Sequence, residues 1–177
     1  MSAAAGTLTW TPAAEHTDLL AAPVAAAIAT LPSARVAEID PDLADTAAFC
    51  EAYGSPPECS ANCVVVAGRR GGETKHAAVL VLATDRADIN GVVRRHIDAR
   101  KISFAPMDEA VEITGMEYGG ITPVGVPDDW PILVDEQVLA AGTVIIGAGI
   151  RGAKLLLPSE SLLLLPNAER GEWALTR

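Results

Sequence analysis

The clearest chemical signal in the sequence is a glycine- and proline-rich segment over residues 115–127. Its sequence, GMEYGGITPVGVP, holds four glycines and two prolines in thirteen residues. That composition predicts an irregular loop rather than a helix or a strand. Glycine lets the backbone approach a ligand closely, and unpaired N–H groups in such a loop can hold a carbonyl or oxyanion oxygen. A purely structural turn is the alternative interpretation of the same residues.

Other residue types that carry chemistry are weakly arranged. The chain has an odd number of cysteines, namely Cys50, Cys59 and Cys63. No second Cys pair and no nearby His completes a set of zinc ligands. Buried thiols are therefore favoured over a disulfide framework or a metal site. Residues 147–152 have the form Gly-x-Gly-x-x-Gly, but AKLLLP after them predicts a strand, whereas a dinucleotide site needs a helix. The sequence implies no metal and no cofactor.

The chain is acidic, with 13 Lys+Arg against 23 Asp+Glu and a net charge of −10. This balance argues against a DNA-binding protein or a general binder of nucleic acid. Residues 69–101 differ, because they hold eight of the cations and four acids, a balance of +4 that leaves −14 elsewhere. A basic region on an acidic body suits one short anionic partner, and a solvated hairpin and helix face is the alternative.

No segment predicts contact with a membrane. The longest apolar stretches, 19–31 and 138–150, are too short for a membrane span and are interrupted by Pro or Gly. The N-terminal residues lack the basic start and apolar core of a signal peptide. We therefore expect a cytoplasmic protein.

The hydrophobic pattern predicts one domain over residues 1–177, with hairpins mixed among helical crossovers. Strands are predicted at 34–40, 63–67, 77–83, 102–104, 131–134, 143–147 and 153–157. Helices are predicted at 17–30, 45–53, 87–98, 106–114, from Asp135 to Gly142, and at 159–163. The tail after Pro166 carries weak signals. This order predicts an α+β fold with a mixed sheet.

Four segments resemble the YbaK family in order and spacing. They are 112–115 (EITG), 119–125 (GGITPVG), 131–135 (PILVD) and the hairpin 147–152 (GAGIRG). That family includes the editing domain of bacterial prolyl-tRNA synthetases and free-standing aminoacyl-tRNA deacylases. The resemblance covers roughly residues 40–165, which leaves 1–40 as a divergent strand and helix extension. It implies a mixed, mostly antiparallel curved sheet flanked by helices.

The family hydrolyses the ester between a wrong amino acid and the 3′ end of a tRNA, and the resemblance implies which residues would do this here. The substrate loop, whose backbone would hold the aminoacyl carbonyl, corresponds to Gly119, Gly120, Ile121, Thr122, Pro123 and Gly125. Gly147 and Arg151 match the family's hairpin, where Ile150 replaces a second arginine. Asp135 matches an acid after the strand, and a helix N-cap is its alternative role.

One departure from the family concerns catalysis. The family usually carries a lysine that anchors the terminal adenosine or its phosphate, and Asn62 stands at that position. Losing one charge-assisted hydrogen bond costs about 1.5–3 kcal/mol, roughly tenfold to over a hundredfold in rate or binding. Arg69, Lys75 or Lys101 are candidates to compensate. The family reaction is thought to use the substrate's own 2′-hydroxyl and a bound water, so activity need not be lost.

The resemblance therefore predicts an enzyme that deacylates mischarged tRNA in trans. The expected amino acid is small (Ala, Cys, Ser or Thr), and the expected tRNA is tRNA(Pro). The cations Arg69, Arg70, Lys75 and Lys101 would contact the acceptor end weakly, and an aminoacyl-tRNA synthetase is a second candidate partner. The alternative, motivated by Asn62, is a catalytically weak or inactive binding module of the same fold.

Overall fold

The computed structural model describes residues 2–175, whose strands are divided between two sheets. The strands are β1 Thr11–Pro12, β2 Arg35–Glu38, β3 Ala61–Arg70, β4 Glu73–Leu82, β5 Lys101–Phe104, β6 Ile132–Asp135, β7 Thr143–Gly147, β8 Ala153–Pro158 and β9 Ala168–Gly171. One sheet has the order β1-β2-β8-β7 and is antiparallel. The other has the order β5-β3-β4-β6-β9, where β4-β6 and β6-β9 are parallel. The predicted α+β fold with mixed, mostly antiparallel pairing is confirmed.

The helices are short. They are α1 Ala22–Ala27, α2 Thr46–Tyr53, α3 Arg94–His96, α4 Met107–Thr114 and α5 Glu136–Ala140. The helix predicted over 17–30 is α1 flanked by two 3-10 turns, because Pro23 is tolerated only in the first turn of a helix. Within residues 2–175, no helix has the length and apolar character that crossing a bilayer requires.

The hairpin of β3 and β4 forms the centre of the molecule and is buried on both faces. Successive side chains of a strand point to opposite faces. Val65 and Leu80 therefore join the main core, whereas Val66 and Val79 join a second core on the other face. Burial on both faces explains why these strands appear in the sequence as continuous apolar runs.

Several elements differ from the predictions: the helix predicted over 159–163 is a 3-10 helix, Ser159–Leu164, and strand β1 was not predicted. The helix predicted over 87–98 is a π-helical turn, Ile89–Val93, that leads into α3. The Asp88 carboxylate accepts hydrogen bonds from the N–H groups of Gly91 and Val92, which fixes the start of that turn. Strand β9 was not predicted, because AERG has no apolar alternation; its pairing with β6 supplies its order.

The N-terminal residues are built into the fold. β2 pairs with β8 over four residues, and β1 pairs with β2. Trp10 is buried beside Phe49 and Leu156, and its indole N–H donates to the Ala5 carbonyl at 2.8 Å. This segment therefore completes the β2-β8-β7 sheet on the side away from β7.

Candidate functional site

A cleft of about 580 Å³ opens where the two sheets meet. A parallel bridge between Ser60 and Ile145 joins the start of β3 to β7 at this point. The walls come from the start of α2, the first residues of β3, the 118–121 segment, β7 and β8. The volume lies in the range of about 300–1,000 Å³ that is typical of small-molecule sites.

The substrate loop packs backbone to backbone against the turn that joins β7 to β8. Gly149 N–H donates to the Gly120 carbonyl at 2.8 Å, and Glu117 N–H donates to the Gly149 carbonyl at 2.8 Å. A Cβ at Gly120 would lie 2.6 Å from the backbone of Ile150. A Cβ at Gly147 would lie 2.5 Å from the Gly120 carbonyl oxygen. Glycine is required at both positions because the two segments leave no room for a side chain.

These contacts decide which loop groups remain free to bind a substrate. The Gly120 N–H donates to the Glu117 carbonyl at 3.0 Å, and the Gly120 carbonyl accepts from the Gly149 N–H. The N–H groups of Gly119 and Ile121 donate to no acceptor in residues 2–175, and both residues line the cleft. Gly120 therefore positions the loop, while its two neighbours carry the unpaired donors.

Asn62 lies on the cleft wall as the second residue of β3. Its Oδ1 accepts a hydrogen bond from the Thr46 hydroxyl at 2.8 Å, which ties it to the start of α2. That bond leaves the amide Nδ2 and its two protons free of partners within the described residues. Asn62 thus offers a neutral donor to a bound ligand.

Lys154 is a cleft residue that the sequence analysis missed. Its side chain on β8 is only 8% exposed, and Nζ donates to the Ala44 carbonyl at 3.0 Å. Nζ also lies 5.4 Å from the centre of the Phe49 ring, a cation–π contact. Burial lowers the pKa of the Lys154 ammonium, and the nearby Cys50 and Asp45 oppose that shift. The signal in the sequence was a lysine within the apolar run AKLLL, where a charge is costly.

Arg151 links three parts of the cleft. Its Nη2 donates to the Pro41 carbonyl at 2.9 Å, and its Nη1 donates to the Tyr118 carbonyl at 3.4 Å. The guanidinium therefore holds the β7–β8 turn, the substrate loop and the segment before α2 together. Arg151 lies on the cleft wall.

The thiol at the cleft is a poor nucleophile. Burial raises the pKa of Cys63 to about 12, so the thiolate is scarce near neutral pH. Burial also raises the pKa of Cys59, with smaller contributions from Glu58 and Cys50. Over residues 2–175, no group of three His, Cys, Asp or Glu side chains is placed to hold a metal ion.

Part of the predicted substrate loop lies outside the cleft. Pro123 and Gly125 line a separate groove beside α1, where Gly125 packs against the Pro23 backbone. Thr122 is fully buried, and its N–H points at the Met116 sulfur at 3.5 Å. Of the loop, Gly119 and Ile121 thus face the cleft, and the rest anchors it.

The buried hydroxyl of Thr122 leads to a stability prediction. Within residues 2–175 its Oγ1 has no hydrogen-bond partner. Thr122→Val should therefore raise the free energy of unfolding by about 1 kcal/mol, because it removes an unsatisfied buried polar group. Thr114→Val is the matched control: the Thr114 hydroxyl donates to the Ala110 carbonyl, so its loss should cost about 1 kcal/mol. Urea unfolding measures both, and a destabilised Thr122→Val would mean that the hydroxyl is satisfied.

Asp135 lies away from the cleft, at the junction of β6 and α5. Its buried carboxylate accepts from the N–H groups of Gln137 at 2.9 Å, Trp173 at 2.7 Å and Ala174 at 3.0 Å. These bonds cap α5 and attach the C-terminal segment to the sheet. The geometry supports the N-cap alternative rather than a role in substrate binding.

The predicted basic region lies at the opposite end of the β3–β4 hairpin from the cleft. Arg69 is seven residues along β3 from Asn62, which corresponds to about 23 Å. Lys75 is the strand partner of Gly68, and Lys101 is the strand partner of Arg69, at this same end of the hairpin. Arg70 forms a salt bridge with Asp98 at 3.1 Å. Arg69, Lys75 and Lys101 are therefore too far away to replace the missing lysine charge beside Asn62.

Comparisons with known proteins place the chain in a family. A family model described as the aminoacyl-tRNA editing domain matches residues 40–165, well over half of the chain. The chain belongs to this family. The expected relation to YbaK-type editing domains is thereby confirmed, and the matched residues include Asn62, the substrate loop and the β7–β8 turn.

Two curated relatives of this editing domain match over shorter stretches. A proline–tRNA ligase of Lactobacillus gasseri is 44% identical over 73 residues, which are 40% of this chain and 13% of the ligase. A candidate Cys-tRNA(Pro)/Cys-tRNA(Cys) deacylase of Enterococcus faecalis, EbsC, is 28% identical over 87 residues, 44% of this chain and 53% of EbsC. The matched stretches span at most about half the length of these relatives.

Solved structures share the fold over most of the chain, including residues outside the matched range 40–165. The crystal structure of a candidate trans-editing enzyme for prolyl-tRNA synthetase superposes with a TM-score of 0.75 and 24% identity, covering 88% of this chain and 97% of that one. The structure of a hypothetical protein has a TM-score of 0.76 and 21% identity, covering 86% and 99%. At these identities the likeness concerns the fold.

Proposed function

We propose that this chain is an aminoacyl-tRNA deacylase that hydrolyses a small, wrongly attached amino acid from tRNA in trans. The observation that carries the proposal is the cleft of an editing-family domain, whose lining includes Asn62 and the two loop residues with unpaired N–H groups, Gly119 and Ile121. tRNA(Pro) is the favoured tRNA, because the relatives are named for prolyl-tRNA synthesis and for Cys-tRNA(Pro) deacylation. The reaction would take place in the cytoplasm, together with translation.

In this mechanism the chain binds and orients an ester, and water attacks it. The N–H groups of Gly119 and Ile121 would donate to the carbonyl oxygen as it becomes an oxyanion. The Asn62 amide would orient the terminal ribose, and the substrate's own 2′-hydroxyl would assist the attacking water. The acyl C–O bond breaks, the ribose oxygen leaves with a proton, and the products are a free amino acid and an uncharged tRNA. The Cys63 thiol would take no part, since burial raises its pKa and keeps it protonated.

The rest of the tRNA would extend from the cleft along the molecule. The cations Arg69, Arg70, Lys75 and Lys101 are exposed about 23 Å from Asn62, a distance at which they would meet backbone phosphates of the acceptor stem. The contact would be weak because the body of the protein is acidic. An aminoacyl-tRNA synthetase is the proposed protein partner.

A second candidate function is a binding module that keeps the cleft without the catalysis. The observation behind it is Asn62, which supplies no positive charge where the family usually has a lysine. Such a module would bind the aminoacylated tRNA end tightly and leave its ester intact. Binding without turnover separates it from the enzyme.

The test is deacylation of Ala-, Cys-, Ser- and Thr-tRNA(Pro), with Pro-tRNA(Pro) as the correctly charged control. Release of the labelled amino acid is followed at limiting and at excess protein. We expect one mischarged species to be hydrolysed well above its spontaneous rate while Pro-tRNA(Pro) is spared. Hydrolysis of none of the four, at any protein concentration, would contradict the proposal.

A further inference from the structure

Lys154 is unusual among the described residues because it is a buried cation that forms no salt bridge, although Asp45 is close enough to affect its pKa. Within residues 2–175, no Asp or Glu oxygen lies within 4 Å of its Nζ, whereas each of the salt bridges in that range involves partly exposed side chains. A buried charge is normally paired or hydrogen-bonded. Among the described residues the Lys154 ammonium has one hydrogen bond, to the Ala44 carbonyl, and one cation–π contact, to the Phe49 ring, so three N–H donors are not all satisfied.

The Lys154 side chain borders the same cleft as Asn62. Lys154 lines the cleft from β8, and Asn62 lines it from β3. The two side chains are attached to one short segment, since Lys154 bonds the Ala44 carbonyl and Asn62 bonds the Thr46 hydroxyl. Ala44 and Thr46 are two residues apart, so their backbones lie within about 7 Å. One bound group can therefore meet both side chains.

We propose that the Lys154 ammonium binds the phosphate of the terminal nucleotide of the substrate tRNA, on the side of the cleft where Asn62 orients the ribose. An anionic oxygen satisfies the unused protons and compensates the buried charge, which a neutral carbonyl does less well. Arg151 adds positive charge to the same wall. This inference rests on the proposed deacylase function, because it assigns a substrate group to the same cleft.

The test measures binding with two acceptor-stem oligonucleotides that end in CCA. One has a normal phosphate before the terminal adenosine, and the other has a neutral methylphosphonate there. The wild-type chain should bind the phosphate form about tenfold to a hundredfold more tightly, as expected for one charge-assisted hydrogen bond. Lys154→Met should bind the two forms equally. Binding that shows no preference in the wild type, including no detectable binding of either form, overturns the inference.

Matched variants separate charge from structure. Methionine fills the space of the lysine stem, and removing a buried charge does not generally destabilise a fold. Arg35→Met is the control, because it removes an exposed cation from β2, the neighbour of β8, and should keep the preference. Asn62→Lys in the Lys154→Met background should restore the preference from the facing strand. Equal weakening of both oligonucleotides in Lys154→Met would show a purely structural role and contradict the inference.

This measurement is independent of hydrolysis. A wild-type chain that prefers the phosphate form but deacylates no tRNA would support the role of Lys154 and contradict the deacylase proposal. A chain that deacylates tRNA without preferring the phosphate form would support the deacylase proposal and contradict the role of Lys154. Circular dichroism of each variant confirms that the comparison is made between folded proteins.

Discussion

Gly147→Ala is expected to lower the rate of tRNA deacylation by at least about a hundredfold while the chain remains folded. The new methyl would lie 2.5 Å from the Gly120 carbonyl oxygen and 2.9 Å from that of Ile121, so the substrate loop must move. A displacement of about 1 Å at a reacting centre costs on the order of a hundredfold in rate. Overpacking of this kind costs about 1–3 kcal/mol in stability. Single-turnover kinetics and thermal unfolding measure the two effects.

Gly152→Ala is the matched control for this prediction. Gly152 lies in the same β7–β8 turn, but the nearest atom to its new methyl is 3.8 Å away, an ordinary contact with Pro41. Its φ lies outside the left-handed region, so alanine is not strained there. We expect wild-type deacylation and stability from Gly152→Ala. A Gly147→Ala variant as active as this control would mean that the loop does not position the substrate.

Asp135→Ala is expected to lower the free energy of unfolding by about 3 kcal/mol. The carboxylate accepts three backbone N–H bonds, and each buried donor left without a partner costs roughly 1 kcal/mol or more. The loss should detach the segment around Trp173 as well as uncap α5. Urea unfolding at constant temperature measures this effect.

The same variant decides between the two roles considered for Asp135. Measured where both proteins are fully folded, kcat/KM of Asp135→Ala should equal that of the wild type, because the carboxylate lies outside the cleft. Asp135→Asn keeps one oxygen acceptor and should fall between the two in stability. A full loss of kcat/KM in a folded Asp135→Ala protein would restore the substrate-binding role.

Elements with strong local signals could be predicted from the sequence. The apolar runs of β3 and β4 predicted a buried hairpin, although its strands extend further along the chain than predicted. The helix predicted over 45–53 is α2, which Asp45 caps at its start and Gly54 at its end. β9 was missed since its order comes from pairing with β6, a contact that leaves no trace in its own four residues. The π-helical turn depends similarly on the Asp88 side chain.

The candidate site was partly predictable. The resemblance brought Asn62, Gly119, Ile121, Gly147 and Arg151 to one cleft, where all five lie on the wall. The resemblance did not indicate Lys154. A hydrogen bond to the carbonyl of a residue 110 positions earlier in the chain holds this side chain beside the cleft. The resemblance could not show that Gly120 is required by contact with Ile150 rather than by a ligand.

The basic region shows the limit of charge counting. Arg69 and Arg70 lie on the same strand as Asn62, but at its far end. The seven residues from Asn62 to Arg69 span about 23 Å, at about 3.3 Å a residue. Charge near a site in sequence therefore did not predict charge at the site.

We expect this cleft to hydrolyse a mischarged tRNA although Asn62 carries no charge. The test is the single-turnover deacylation rate of the wild type and of Asn62→Lys, measured side by side on the tRNA(Pro) panel. The wild type should turn over at least one mischarged species, with a gain below about tenfold in Asn62→Lys because Lys154 already supplies a cation. A silent wild type beside an active Asn62→Lys variant would contradict this expectation and identify a binding module.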